Sequence, residues 1–348
     1  MSLSSAAPGP SGVVAAAAVV FAAAASGAWV LAHVAPRFVR IDEVGGRSLH
    51  SSPTPRAGGL AFVAAVPVGF LLAARAFDWS IAWRAPAVAL AVALPVAAVG
   101  LLDDLRECRA LVRIAVHALA AVAGAFLVSD QPPIAWVALL GAVGIAWTVN
   151  LANFMDGADG FLASEAVTLF AFMGAASTVD GTSAQGASLG ALAWVAAAGV
   201  AGFLCWNRPR ARIFMGDVGS GWIGALVGVM AFGFLLTDPG IAYGSVALAA
   251  PFIADASICV LRRMARRERV WQAHAMHGYQ HFVRRRGGSH AALLVAWTAA
   301  NLLVYLPLAA WAAAQRSLVP FGIATALGCL QALWLGSGSP VAPVGTPR

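Results

Sequence analysis

Apolar stretches of about 17 to 25 residues recur from one end of this chain to the other, each long enough to cross a bilayer core of roughly 30 Å as a helix. They lie near residues 12–35, 57–75, 82–102, 112–129, 133–151, 160–178, 187–206, 219–236, 241–261, 291–313 and 319–336. With 60% hydrophobic and only 11% charged residues over 348 positions, the chain has more apolar surface than a soluble core could bury. Strand-like alternation is absent, and unbroken apolar runs need a backbone that bonds within itself. The expected fold is therefore an all-α integral membrane protein, a polytopic bundle of about 11 transmembrane helices. The first run has no basic residue before it and exceeds the core of a signal peptide, which predicts a retained helix. No linker divides the sequence: residues 1–335 read as one transmembrane domain, with a tail at 336–348, rich in Gly, Pro and Ser, expected to be disordered.

Orientation follows from the basic residues, all 22 of which are Arg. If alternate loops beginning with residues 36–56 face the cytoplasm, 19 arginines fall on that side and only Arg75, Arg84 and Arg316 on the other. The positive-inside rule then places the N-terminus outside and the C-terminus inside. A net charge of +7 needs no nucleic acid to explain it, since an anionic inner leaflet and an anionic substrate suffice. Cys108, Cys205, Cys259 and Cys329 are isolated in sequence, without the spacing of a disulfide framework or a zinc site, and are expected to pack as small apolar residues.

On this topology most of the carboxylates gather at the cytoplasmic end, and four clusters stand out. Asp103 and Asp104 close an apolar run in VGLLDDLRE beside Arg106, Arg109 and Arg113. The pair is either a solvated helix end or a metal-binding or proton-abstracting site. In NLANFMDGADG, residues 150–160, Asn150, Asn153, Asp156 or Gly157, and Gly160 recur at helical spacing, which puts them on one stripe facing a polar cleft. In IFMGDVGS, Asp217 sits among glycines just before the next apolar run, a setting suited to a hard metal ion with phosphate oxygens. In QAHAMHGYQHFVRRR, His274, His277 and His281 share a helical face. With no cysteine or acidic ligand beside them in sequence, a zinc site is not expected, and a basic amphipathic helix at the membrane surface is the plainer reading. Asp255, inside the ninth apolar run, is a functional or helix-pairing candidate by its depth alone.

Taken in order, RSLHSSPTPRAGG at 47–59, LLDD at 101–104, NLANFMDGADG at 150–160, FMGDVGS at 214–220 and HAMHGYQ at 274–280 resemble the cytoplasmic motifs of the polyprenyl-phosphate N-acetylhexosamine-1-phosphate transferases. The resemblance covers residues 36–290. It implies a multi-pass protein of the bacterial inner membrane whose site opens to the cytoplasm. There a UDP-sugar would give its sugar-1-phosphate to undecaprenyl phosphate with release of UMP. It implies Mg²⁺, or Mn²⁺ in its place, held by Asp217 and Asn153. Asp159 would meet the uracil and Phe214 would stack on it, with Asn150 and Asp156 beside the nucleotide. Asp103 and Asp104 match the paired aspartates, one of which would deprotonate the lipid phosphate, and Asp103 is the choice here. His274 and His277 would hold the pyrophosphate, and Arg56 and Arg113 a phosphate. A homodimer is a further expectation. Arg56 stands where the peptidoglycan branch carries Lys, and the looser HAMHGYQ replaces a dense histidine run, so the chain looks closer to the branch serving surface polysaccharides. Ala275 stands where relatives often carry a basic residue. The alternative is a transporter or flippase for a sugar nucleotide or lipid-linked sugar, for which polar groups near the bilayer midplane are expected instead.

Overall fold

The computed structural model describes residues 8–33, 41–42, 54–106, 108–131, 133–179, 181–269, 274–287 and 289–340. The stretch 47–53 of the first motif, Glu107 and the tail from 341 onward lie outside the described residues. In chain order come α1 (Pro10–His33), the two-residue strands β1 (Ile41–Asp42) and β2 (Thr54–Pro55), α2 (Leu60–Ala76), α3 (Arg84–Leu105), α4 (Ala110–Leu127) and α5 (Ala135–Met155). There follow α6 (Phe161–Ala176), α7 (Ala184–Asn207), α8 (Gly216–Thr237), α9 (Pro239–Leu248), α10 (Ala250–Ala265) and α11 (Gly278–Arg285). The last are α12 (His290–Ala300), a π-helical turn Asn301–Tyr305, α13 (Leu306–Gln315) and α14 (Leu318–Leu335). Eight helical segments are long and apolar enough to cross a membrane, or nine with one bent pair counted as a span. Two shorter apolar helices, α2 and α6, fall on two further expected runs.

The axis of the bundle is α8, apolar and almost wholly buried. It packs against α3, α5 and α9, and what allows the approach is glycine. A Cβ at Gly224 would sit 2.5 Å from the Thr148 carbonyl oxygen on α5, and one at Gly100 on α3 would sit 2.3 Å from the Asp217 carbonyl. Small residues do in lipid what large apolar ones do in water, because close van der Waals packing is the main attraction left between apolar helices. In the same way α1 lays Ala16, Val20, Ala24 and Ala28, one residue per turn, against α7 and α2. The outer helices turn Leu111, Leu119, Trp136, Leu139, Leu303 and Trp334 outward, the apolar jacket of a lipid-embedded protein.

Four features differ from the sequence expectation. The run at 241–261 is a broken pair, α9 and α10, bent by 61° around Ala249, where Pro251 has no N–H to continue the helical ladder. The all-α expectation is interrupted by one antiparallel rung, Ile41 opposite Pro55 and Asp42 opposite Thr54. The basic amphipathic segment does form α11, but its apolar face, with Tyr279 and Val283, docks on α10, α12 and α14 rather than standing free for a membrane surface. Finally, the start of the expected tail is packed on the bundle: Ser337 is fully buried, its Oγ donating to Asp255 at 2.7 Å, and Gly338 N donates to the Met276 carbonyl at 2.7 Å.

Candidate active site

The first and fourth motifs are zipped together by backbone. Phe214 N donates to the Pro55 carbonyl at 2.8 Å, Gly58 N to the Phe214 carbonyl at 2.9 Å and Gly59 N to the Met215 carbonyl at 2.9 Å. Only glycine fits at two of these places. A Cβ at Gly59 would meet Gly219 Cα at 2.4 Å, and Gly216 has φ +75°, with Asp104 Oδ2 2.5 Å from where its Cβ would be. This strap sets Arg56 and Phe214 beside the first turn of α8.

The paired aspartates at the end of α3 do different things. Asp104, 2% exposed, accepts from Asp217 N and Val218 N, both at 3.0 Å, and so caps the N-terminal N–H groups of α8. Asp103 is turned to the other side, accepting from Cys108 N at 2.8 Å and from Arg113 Nη1 at 2.5 Å. The same Arg113 nitrogen donates to Asp217 Oδ2 at 2.9 Å, and Asn153 Nδ2 donates to Asp217 Oδ1 at 2.9 Å. Three expected site elements, from α3–α4, α5 and α8, thus converge on one carboxylate. Asp217 lies in the first turn of α8, where the helix dipole favours negative charge.

The stripe expected from Asn150 to Gly160 does not persist, because α5 ends at Met155. Asn153 faces Asp217, whereas the Asn150 amide donates back to its own helix, to the Ala146 carbonyl at 2.8 Å. Asp156 is the C-cap of α5. Burial, and then the negative charges of Asp217 and Asp104 against the opposing Arg56, hold its carboxyl well above the usual range. Asp159 lies in the turn and is committed elsewhere: its Oδ2 accepts from Arg210 N at 3.0 Å and Ala211 N at 3.2 Å, and its own N donates to His290 Nδ1 at 3.1 Å. With Asn207, which accepts from Gly160 N at 3.0 Å and donates to the Ile213 carbonyl at 2.9 Å, it pins the arginine-rich loop at 208–212.

The histidine pair divides as the aspartates do. His277, 2% exposed, lies with Nδ1 3.6 Å from Asp255 and its ring stacked 5.8 Å from that of Phe154. Burial alone would lower its pKa, but hydrogen bonding and charge from Asp255, with Cys259, raise it to about 9. His274 is half-buried, and burial followed by the charges of His277 and Arg263 lowers it to about 4. Of the two imidazoles, His277 is the buried one and faces the Asp255 carboxylate, whereas His274 is the more accessible.

Four carboxylates, Asp103, Asp104, Asp156 and Asp217, therefore share a neighbourhood with the charges of Arg56 and Arg113. The gathering of carboxylate oxygens is the kind of hard donor set that suits a divalent cation of the Mg²⁺ class. Two groups escaped the sequence reading. Glu165 is a lone buried carboxylate within α6, accepting from Trp297 Nε1 at 3.2 Å and from Asn301 Nδ2 on the π-helical turn. One carboxylate in an apolar helix is itself the signal that could have found it. Asn207, the other, looks in sequence like an ordinary loop residue.

The sequence profile described as glycosyl transferase family 4 matches residues 86–234, the span from α3 through α8. A decaprenyl-phosphate N-acetylglucosaminephosphotransferase of Mycobacterium leprae is 30% identical over 342 residues, covering 82% of this chain and 82% of that protein. An undecaprenyl-phosphate alpha-N-acetylglucosaminyl 1-phosphate transferase of Thermotoga maritima is 28% identical, over 56% of this chain and 60% of its own length. A phospho-N-acetylmuramoyl-pentapeptide-transferase of a Synechococcus species is 30% identical, with the same two shares, 56% and 60%.

Proposed function

Because the chain belongs to the polyprenyl-phosphate N-acetylhexosamine-1-phosphate transferases, we propose that it moves a sugar-1-phosphate from a UDP-sugar to undecaprenyl phosphate, releasing UMP. The kind of reaction, a phosphotransfer to a polyprenyl phosphate in a membrane, is that of the family. The particular donor and lipid, the divalent cation and a role in surface-polysaccharide synthesis are this reading's own. One observation supports it most: Arg113 and Asn153 tie Asp103 and Asp217 into a single chain of side-chain hydrogen bonds at one end of the bundle.

In this reading Asp217 and Asn153 hold Mg²⁺, which when bound offsets the repulsion between a pyrophosphate and a lipid phosphate. Asp103 takes the proton of the lipid phosphate, and Arg113, already between Asp103 and Asp217, steadies the resulting charge. A lipid phosphate oxygen then bonds to the phosphorus carrying the sugar. The bond from that phosphorus to the bridging oxygen breaks, and its electron pair leaves with UMP. Arg56 and Arg113 draw in the phosphates, while Phe214 and Asp156 flank the nucleotide. Asp104 is a positioning residue, since both its oxygens are taken by the start of α8. The test is UMP release from a panel of UDP-amino sugars by membranes carrying the protein. Release that requires both undecaprenyl phosphate and a divalent cation is expected; none with any donor would overturn the reading.

A further inference from the structure

We propose that Cys259, His274 and His277 form a zinc site that staples the loop before α11 onto α10. This inference does not rest on the transfer reading. The two histidines have no cysteine near them in sequence, but the fold supplies one. Cys259, fully buried on α10, offers its Sγ so that one ligand atom from each of the three residues lies within 4.8 Å of the others. Cys259 Sγ is 4.0 Å from His274 Nδ1, and the two imidazole centroids are 4.9 Å apart. Zinc–sulfur and zinc–nitrogen bonds of about 2.3 and 2.0 Å make the edges of a tetrahedral site about 3.5 Å, so the cluster has to close by roughly 1 Å. Rotation of the half-buried His274 ring provides that movement, at the expense of a weak 3.4 Å contact from Met276 N.

The surroundings are those of a metal-binding imidazole. Asp255 faces Nδ1 of His277 at 3.6 Å and is fixed in turn by Gly278 N at 2.8 Å, Tyr279 N at 3.1 Å and Ser337 Oγ at 2.7 Å. A carboxylate on one ring nitrogen of a histidine orients the other toward a metal. Arg263 on α10 is engaged by Glu268 at 3.0 Å, which reduces its repulsion of a bound ion. One thiolate and two neutral imidazoles are a donor set of borderline softness, which favours zinc over the hard cation suited to Asp217. On binding, Cys259 gives up its thiol proton and His277 its imidazolium proton, both to solvent, and water completes the tetrahedron. The staple's far side reaches the catalytic end, because Tyr279 donates from its hydroxyl to the Phe154 carbonyl at 3.1 Å, one residue beyond Asn153.

The experiment is metal analysis of the full chain purified in detergent without chelator, with Co²⁺ exchanged in as a spectroscopic probe. About one zinc per chain is expected, and the cobalt form should show a thiolate charge-transfer band with tetrahedral ligand-field absorption. Cys259→Ser and His274→Gln should each weaken zinc retention by roughly tenfold or more. Cys205→Ser and Cys329→Ser, at thiols outside the cluster, should not. His274→Gln alters a half-buried residue and keeps the test decisive if Cys259→Ser misfolds. Zinc content and cobalt spectra unchanged in both variants, or no stoichiometric metal in the wild-type protein, would overturn the proposal, whether or not the protein transfers sugar phosphate.

Discussion

Asp217 and Asp255 are both carboxylates at the motif-bearing end of the bundle, yet they are held in opposite ways. Both Asp217 oxygens take their hydrogen bonds from side chains on other helices, Arg113 and Asn153, and its side chain stays 22% exposed. Asp255 is 1% exposed and spends its oxygens on two backbone N–H groups and Ser337, with His277 beside them. A side-chain donor can be exchanged for a ligand by a rotamer change, whereas a backbone donor at a helix start has nowhere to go. The contrast separates a carboxylate available for chemistry from one that builds the scaffold. A weaker form of the contrast recurs within the Asp103–Asp104 pair: both Asp104 oxygens go to backbone N–H groups of α8, whereas Asp103 gives one oxygen to Cys108 N and the other to the Arg113 side chain.

The comparison breaks most visibly at Asp255. Asp255→Ala leaves two N–H groups and a buried imidazole without their acceptor, and should cost about 3–5 kcal/mol, the usual penalty for removing one partner of a buried charged pair. Thermal unfolding in detergent should show the loss, with protease cleavage rising around α11; unchanged stability would mean that Asp255 is not the scaffold carboxylate. Asp217→Asn should do the reverse. Activity falls by on the order of 10²–10³, about 3–4 kcal/mol of transition-state stabilisation, while the fold is kept because an unbalanced charge is relieved. Near-normal turnover at ordinary Mg²⁺ would remove Asp217 from the chemistry.

The aspartate pair sharpens the distinction on a smaller scale. Asp104→Ala removes a helix cap and should cost about 1–2 kcal/mol of stability, with lower activity at every pH because Asp217 loses its placement. Asp103→Asn should leave stability nearly intact and lose most activity near pH 6. Part should return at higher pH, since a phosphomonoester with a second pKa of about 6 then arrives already deprotonated. Parallel pH profiles for Asp103→Asn and Asp217→Asn would show that Asp103 is not a general base.

Each of the eleven apolar runs falls on helix among the described residues, because an unbroken apolar run in lipid has few other ways to satisfy its backbone, but only eight segments, or nine with the bent pair, are long and apolar enough to cross a membrane. The convergence of Asp103, Asn153 and Asp217 could be anticipated from motif order, but the division of labour could not. Adjacent residues on a helix point about 100° apart, which says that Asp103 and Asp104 differ in direction but not which of them meets α8. The end of α5 at Met155 was hidden because NLANFMDGADG keeps helical spacing through a turn. Contacts across the bundle were the least legible. Glu165 finds Asn301 at a separation of 136 residues, and Cys259 meets His274 only because α10 and the loop before α11 fold back together.

The last expected effect, a pH dependence, concerns His277 and tells the bare scaffold from the stapled one. With no metal bound, burial works against the imidazolium, but Asp255 and Cys259 raise its pKa from 6.5 to about 9. A pKa raised by folding stabilises the charged form in the native state. The contribution is therefore complete below about pH 6.5 and fades as the pH climbs through about 9. In chelator-treated protein, the stability advantage of wild type over His277→Gln, read as protease resistance of the segment leading into α11, should shrink across that window. A difference that stays flat from pH 6 to 9 would mean that the Asp255–His277 contact carries no charge dependence. Zinc-loaded protein should show no such decline, because a ligated imidazole is already neutral and keeps only the N–H on its other nitrogen, which does not titrate in this range.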